Sequence, residues 1–370
     1  MPVTLPAKTL GALATSAAKY TTSSSLAPVL ASTLLEVTQG RVRLSATDTT
    51  YTLRASLPCE STETWSALVD AKRLSAALKV LSGDVSLSLS GRDLTLKAGK
   101  ARVTLPCTDP AEYVELPTAP EGAEHPVDAH TLSRALGAVL PASSTNPTRP
   151  NLVTVSLEAE DGKLTCVATD GHRLHVARTS LDWTHGSVLL GADGARHFLA
   201  ALKGAGAEAD VSLAIAGSSC LLRVDTTEVH ARLSAEKFPP WRAIVPSGDP
   251  QSTVTLDPAP LVDALKRARL AAGDESQPAA VFSCEREGDT ELTVRASAEG
   301  ASTEEAVPAH VDGLLPPTGL ALTYLADALE ALGADSVTLV ARSPRAAVVL
   351  EPAQADPLAD VTCVVMPRRV

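Results

Sequence analysis

The residues with the clearest chemical potential in this 370-residue chain lie in the run Asp170-Gly171-His172-Arg173. An aspartate beside a histidine could act as a general acid and base, so one hypothesis is an Asp/His hydrolase. A metal site formed by His172 and His175 is a weaker hypothesis, because residues three apart on a strand point to opposite faces. Asp-Gly after an alternating strand is also typical of a tight turn, which gives Asp170 a conformational role.

No other enzymatic motif accompanies this pair. The sequence has no Gly-x-Ser-x-Gly pattern, no phosphate-binding glycine loop and no Cys-x-x-Cys pair. Its six cysteines are scattered, which is typical of reduced thiols rather than of disulfide bonds or a zinc site. We therefore expect no catalytic residue, no metal and no cofactor, and the hydrolase stays an alternative.

The elements that would position these residues repeat three times along the chain. Each copy begins with a helical pattern followed by alternating strands, and the triplet Ala-Thr-Asp at 46–48 returns at 168–170. Such a long period indicates duplicated domains rather than a short structural repeat. Segments rich in proline and glycine near 116–126 and 246–250 are typical of linkers. We predict domains at residues 1–120, 121–250 and 251–370.

Each predicted domain contains two helical patterns. The first helices are expected at 9–20, 131–140 and 259–271, and the second at 71–81, 196–203 and 324–332. Since a helix with one apolar stripe must bury it against a sheet, the sequence predicts an α+β fold with two helices packed on antiparallel sheets in every domain. Aromatic residues make up only 3% of the chain, so leucine, valine and alanine must fill the cores.

Charge is distributed unevenly. The net charge of −11 argues against a nucleic-acid partner, yet the predicted helices hold ten of the 32 lysines and arginines and only three of the 43 acidic residues. If the helices share one side of an assembly, that side is basic and the remainder is acidic. The sequence shows no secretory signal and no apolar run of the roughly 18 residues that a membrane span needs. We expect a cytoplasmic protein with no membrane partner.

Two runs carry a resemblance to a known family: Ala-Thr-Asp-Gly-His-Arg-Leu at 168–174 and Val-Val-Met-Pro at 364–367, with Phe238-Pro239 and Pro246 between them. Together with the threefold repeat, they make the whole chain similar to the bacterial sliding clamps, the beta subunits of DNA polymerase III. The resemblance implies a head-to-tail homodimeric ring whose helices surround duplex DNA. Such a ring tethers the replicative polymerase and makes it processive, without catalysis of its own.

The resemblance also implies three sets of site residues. A pocket between the second and third domains would bind short linear motifs of the polymerase alpha subunit, the clamp loader, other polymerases and repair proteins. Its walls would be Leu152, Thr169, Gly171, His172, Arg173, Leu174, Pro239, Ile244, Val364, Met366, Pro367 and Arg369. The residues expected to face DNA are Lys72, Arg73, Lys79, Arg134, Arg149, Arg196, Lys203 and Lys266. The expected dimer interface comprises Val103, Leu105, Arg267, Arg269, Leu270 and Ala271.

The chain departs from the family pattern in places. Ala243 stands where the family usually has an arginine at the pocket rim, and the loop at 21–25 has no basic residue. The sixth helix carries Asp327 and Glu330 and no cation. These departures leave open a diverged clamp paralogue that serves repair or resistance to an inhibitor.

Overall fold

The structure is a computed structural model that describes residues 3–23, 27–120, 124–273, 277–286, 288–298, 300–343 and 345–369. Of the loop at 21–25, the last two residues lie outside these ranges. The chain divides into two compact units. Unit 1 comprises Met1–Val127 and Ala200–Leu233, and unit 2 comprises Asp128–Leu199 and Ser234–Val370.

Six α-helices lie within the described ranges, two for each sequence repeat, which confirms the predicted α+β class. They are α1 (Ala7–Ala17), α2 (Ala71–Val80), α3 (Ala129–Val139), α4 (Ala192–Lys203), α5 (Pro258–Ala271) and α6 (Leu322–Leu332). Asp70, Asp128 and Asp257 cap the N-termini of α2, α3 and α5 by accepting a backbone N–H. No helix of the described chain is long and apolar enough to cross a membrane.

The strands of unit 1 follow one another in a single antiparallel order. That order is β1 (Val3–Pro6), β6 (Asp84–Ser90), β7 (Asp93–Ala98), β8 (Ala101–Thr108), β5 (Trp65–Asp70), β2 (Ser32–Thr38), β3 (Arg41–Thr47), β4 (Tyr51–Pro58), β16 (Thr227–Ser234), β15 (Ser219–Val224), β14 (Val211–Ala216) and β9 (His125–Pro126). A strand of the second repeat, β16, thus extends the sheet of the first.

The core of unit 1 lies between this sheet and the helices. Leu10 of α1 and Leu74 and Leu78 of α2 are at most 2% exposed and pack with the inward residues of β1–β8. The two helices approach closely because Gly11 has no side chain: a Cβ there would lie 3.4 Å from Cβ of Leu78. Burial of these leucines is worth about 1.5–3 kcal/mol each.

Unit 2 contains two antiparallel sheets. The larger has the order β13 (Val188–Gly191), β10 (Thr154–Glu160), β11 (Lys163–Thr169), β12 (Arg173–Asp182), β25 (Ala359–Val365), β24 (Val348–Pro352), β23 (Val337–Ala341), β17 (Ser252–Leu256) and β21 (His310–Gly313). The smaller has the order β22 (Leu315–Ala321), β18 (Ala279–Cys284), β19 (Glu291–Ala298) and β20 (Ala301–Pro308). The pair β12–β25 joins the second repeat to the third.

The first Ala-Thr-Asp triplet forms a turn held by its own side chains. Oδ1 of Asp48 accepts the backbone N–H groups of Thr50 at 2.9 Å and Tyr51 at 2.7 Å. The hydroxyl of Thr47 donates to the carbonyl of Tyr51 at 3.0 Å and accepts the N–H of Thr49 at 3.0 Å. These are the side-chain bonds by which aspartate and threonine favour turns.

The second triplet forms the same turn. Oδ1 of Asp170 accepts the N–H groups of His172 at 2.8 Å and Arg173 at 3.1 Å, and Thr169 donates to the carbonyl of Arg173 at 2.6 Å. The N–H of Gly171 donates to Thr169 at 3.1 Å. The repeated triplet therefore stabilises the turns that lead from β3 into β4 and from β11 into β12.

The third residue of each turn has left-handed backbone, with φ of 78° at Thr49 and 92° at Gly171. A β-branched residue is strained there, whereas glycine is not. We predict that Thr49→Gly raises the free energy of unfolding by about 0.5–1 kcal/mol, and that Gly171→Ala lowers it by about 1–2 kcal/mol. Denaturant unfolding followed by circular dichroism would measure both. A loss of stability in Thr49→Gly would contradict the strain.

Candidate functional site

The floor of the candidate peptide site is an apolar row across β12, β25 and β24. Leu174 lies opposite Val364, which lies opposite Val349 on its other side. These three side chains are at most 3% exposed and belong to one cluster with Val167 and Val176. Because residues paired directly across an antiparallel sheet share a face, the row forms a continuous apolar surface.

One wall is the segment 238–246, of which the family resemblance predicted only Pro239 and Ile244 as wall residues. Trp241 is 3% exposed and packs on the floor together with the half-buried Phe238 and Val245. Sequence reasoning missed these three as wall residues, although two of the chain's few aromatic residues flank Pro239 and Pro240.

Trp241 is held in place by a charged network. Its indole N–H donates to the carboxylate of Glu158, with distances of 3.2 and 3.3 Å to the two oxygens. The guanidinium of Arg242 stacks 4.3 Å from the centre of the indole and forms ion pairs with Glu158 at 2.9 Å and Glu160 at 3.4 Å. This network positions the segment on β10, and Ile244, two residues after Arg242, is 38% exposed.

The other wall follows β25. Val364 and Val365 are fully buried in the strand, and the N–H of Met366 donates to the carbonyl of His172 at 2.9 Å. Met366 is 38% exposed and Pro367 is half-buried. The exposed thioether of Met366 therefore lies beside the turn, and its flexibility is what a ligand-binding position there would need.

Arg173 links the turn to α6. Its guanidinium forms ion pairs with Asp170 at 3.1 Å and with Asp327, and it lies 4.5 Å from the centre of the Tyr324 ring. The His172 ring is nearly parallel to that ring, with centroids 6.3 Å apart. Asp327, one of the two acidic residues that departed from the family pattern, is thus engaged within the chain.

The remaining pocket residues lie on the rim or beneath it. Leu152 is 8% exposed, and the side-chain amide of its neighbour Asn151 donates to the carbonyl of Lys237 at 3.5 Å, which ties this loop to the 238–246 wall. Arg369 is exposed. Thr169 is 2% exposed, and its hydroxyl is used in the turn, where it donates to the carbonyl of Arg173.

Asp170, His172 and His175 all make contacts that stabilise the fold. Both oxygens of Asp170 accept bonds from the turn or from Arg173. Burial lowers the pKa of His175 to about 4, so its ring is neutral and Nδ1 donates to the carbonyl of Ala138 at 2.8 Å. No group of three or more possible ligands lies close enough to hold a metal in the described ranges.

Most of the cations expected to face DNA are exposed on helices. Lys72, Arg73, Lys79, Arg196, Lys203 and Lys266 are exposed, two of them in ion pairs with an acidic residue three positions earlier, Arg196 with Asp193 and Lys266 with Asp263. Arg134 is different: its guanidinium pairs with Asp356 at 2.7 Å and donates to the carbonyls of Ala331 and Leu332, each at 2.7 Å. It therefore caps the C-terminus of α6.

Arg149 lies beside the turn of the candidate peptide site. Its Nη1 lies 3.4 Å from where a Cβ on Gly171 would stand, so its guanidinium borders the turn of the peptide site. The absence of a side chain at Gly171 leaves room for this contact. Contact of Arg149 with DNA stays a prediction.

The expected interface residues fall into two groups. Leu270 is 83% exposed, and its neighbour Arg267 forms a two-pronged ion pair with Glu305 of β20. Ala271 and Leu105 are only 3% and 8% exposed, and the half-buried Val103 also packs toward the core of unit 1. Val103 and Leu105 can therefore contribute main-chain groups rather than side chains to an interface. Arg269 is exposed.

Comparison with known proteins identifies the family. Models of the N-terminal, central and C-terminal domains of the DNA polymerase III beta subunit match residues 7–117, 126–240 and 242–369. The beta sliding clamp of Proteus mirabilis is 25% identical over 349 residues, 93% of each chain. That of Streptomyces coelicolor is 28% identical over 327 residues, 83% of this chain and 82% of its own.

Solved structures share the fold. The beta subunit from the DNA polymerase of Streptococcus pyogenes superposes with a TM-score of 0.90 at 18% identity, over 100% of both chains. The Thermotoga maritima DNA polymerase III beta subunit gives 0.89 at 22% identity, over 100% of this chain and 99% of its own. Three successive family models account for most of the sequence, as the resemblance of its motifs predicted. The chain therefore belongs to the DNA polymerase III beta subunit family, the bacterial sliding clamps.

Proposed function

We propose that this chain forms a homodimeric ring around duplex DNA and tethers the replicative polymerase to it. The observation that carries the proposal is the excess of exposed cations on the helices of a chain whose net charge is −11. Cations that contact phosphates hold DNA without reading its sequence, as a sliding tether requires. The ring would act in the cytoplasm with no catalytic residue of its own, and its domains would be 1–120, 121–250 and 251–370. No observation favours the paralogue or the hydrolase.

A groove on the helices of unit 1 supports this role. It has a volume of about 860 Å³ and runs along α1 and the end of α2, with Lys8, Lys19 and Lys79 on its walls and Asp84 as the one acidic residue among those that line it. Three cations against one anion give the groove a positive potential. Such a surface attracts the phosphate backbone from either strand.

We predict that the variant with Lys72, Arg73, Lys203 and Lys266 all changed to glutamate is loaded poorly and slides off more readily. Its retention on nicked circular DNA should also depend less steeply on salt, because fewer counterions are released from phosphates. The control reverses four cations on strands instead: Arg41, Lys97, Lys163 and Arg295. Equal retention of both variants at every salt concentration would refute the helix-lined channel.

Two strand edges support the ring. Ala101–Pro106 of β8 pairs only with β7, and β20 pairs only with β19, in the part of the chain that the structure describes. Exposed strand edges associate with other strands unless something covers them. Leu270 on α5, the helix that packs on β20, adds an apolar side chain beside one edge. Pairing β8 of one subunit with β20 of another joins two different surfaces, which makes the contact heterologous. Two such contacts would close a ring of two subunits.

We predict that Leu270→Asp converts the dimer to monomers, since it would bury an unpaired charge at the interface. Light scattering after size-exclusion chromatography would measure the mass. Leu314→Asp is the control, because Leu314 is also an exposed leucine, at 44%, but lies outside the expected interface. A dimer that survives Leu270→Asp, or a parent protein that is monomeric or trimeric, would contradict the arrangement.

The apolar floor and exposed mouth support binding of a short linear peptide. Val364 and Leu174 provide a flat buried surface, while Ile244 and Met366 are free to close on a side chain. Anchor residues in such pockets supply most of a short peptide's affinity. The proposed ligands are motifs of the polymerase alpha subunit, the clamp loader, other polymerases and repair proteins. Because Ala243 provides no cation at its position on the rim, we expect a partner preference different from that of clamps that have an arginine there.

We predict that Met366→Ala weakens binding of a fluorescent Gln-x-Leu-Phe peptide by about 1–3 kcal/mol, since it removes a central contact. Fluorescence anisotropy would measure the affinity. Val80→Ala is the matched control, because Val80 is 78% exposed on α2, outside the pocket. If both variants bind like the parent, the pocket lies elsewhere.

A further inference from the structure

Unit 1 has a cavity at the position that corresponds, in the first repeat, to the peptide site of the second. Its volume is about 400 Å³, and it is lined by Thr47 and Thr49 of the turn and by the segment 114–118. We call it the unit 1 pocket. None of its lining residues belongs to the peptide site, the helix cations or the expected interface.

The main chain around the two turns matches closely. At the first turn the strand that follows, β4, pairs with β16, and the N–H of Arg232 donates to the carbonyl of Thr50 at 3.0 Å. At the second turn β12 pairs with β25, and the N–H of Met366 donates to the carbonyl of His172 at 2.9 Å. Arg232 thus takes in unit 1 the main-chain place that Met366 takes in unit 2. Its side chain is exposed but is not among the residues that line the unit 1 pocket.

The unit 1 pocket is formed before any partner binds. The phenol of Tyr113 accepts the N–H of Thr47 at 3.1 Å and donates to the carbonyl of Ser32 at 3.2 Å. Burial raises the pKa of Tyr113 to about 12, so the phenol stays protonated and keeps both bonds. This anchor holds the start of segment 114–118 against the turn, as Trp241 holds the wall of the peptide site. A preformed pocket spares a ligand the cost of ordering it.

The lining determines what can bind. Val114 and Leu116 are half-buried, Pro117 is exposed, and Glu115 is exposed and is the one charged residue of the lining. The volume lies within the range of about 300–1,000 Å³ typical of ligand pockets. We propose that the unit 1 pocket binds a short extended segment of a partner protein in which a large apolar side chain adjoins a lysine or arginine. This goes beyond the proposed function, which uses only the pocket of unit 2.

Photo-crosslinking of the full chain tests the proposal. The probe is the acetylated tetrapeptide Lys-Leu-Bpa-Lys, in which Bpa is benzoylphenylalanine, and mass spectrometry maps the labelled residues. We expect crosslinks within 114–118. Leu116→Arg fills the cavity, and Glu115→Lys reverses its charge, so each should cut this yield about tenfold, the effect of about 1.4 kcal/mol. Met366→Ala should leave it unchanged, and the acidic probe Glu-Leu-Bpa-Glu should label 114–118 far less.

The proposal fails if no crosslink falls within 114–118, or if neither variant reduces the yield there. Glu115 is exposed, so Glu115→Lys should fold even if Leu116→Arg does not, and it decides the matter alone in that case. Crosslinks confined to 238–246 and 366–369 would overturn the unit 1 pocket and leave the proposed peptide site intact. Labelling of 114–118 without crosslinks at 238–246 and 366–369 would support the unit 1 pocket, and the peptide site would still be tested by the Gln-x-Leu-Phe titration.

Discussion

Main-chain hydrogen bonding between strands of successive repeats is the interaction on which the candidate peptide site and the unit 1 pocket both depend. The pair β12–β25 brings Leu174 opposite Val364 and delivers Met366 to the turn that begins at Thr169. In unit 1 the pair β4–β16 likewise brings a strand of the next repeat to the turn that begins at Thr47. Because register in a sheet has a period of two, a slip of one residue would turn every floor residue to the opposite face. The register of these two pairs is therefore the constraint that sequence variation must preserve.

Side-chain chemistry differs more than main-chain geometry between the two copies. The same threonine and aspartate bonds hold each turn, but one turn contains Thr49 where the other contains Gly171. In unit 2 the turn is further tied to α6 through Arg173 and Asp327. The two repeats thus keep the same main-chain turn and differ in the side chains around it, which is how one fold can serve sites of different specificity.

Sequence reasoning predicted the periodic features well and the three-dimensional contacts poorly. The six helices and the α+β class follow from apolar spacing and from the repeated triplet, and Asp-Gly indicated the turn at Asp170. The role of Arg134 as a cap for α6 could not be read from the sequence, because Ala331 and Asp356 are remote from it along the chain. Burial of Leu105 and Ala271 likewise depends on packing that no local pattern encodes.

Within the described residues, Ala101–Pro106 of β8 and one edge of β20 have no further strand partner, and this has a consequence for the free subunit. An open edge can template non-native association, and the edge of β8 carries few charged side chains, Arg102 being the one between Ala101 and Pro106. Newly made chains would therefore be most vulnerable to aggregation before they meet a partner copy. If the proposed ring pairs these edges, assembly would hide what makes a solitary chain a target for chaperones and proteases.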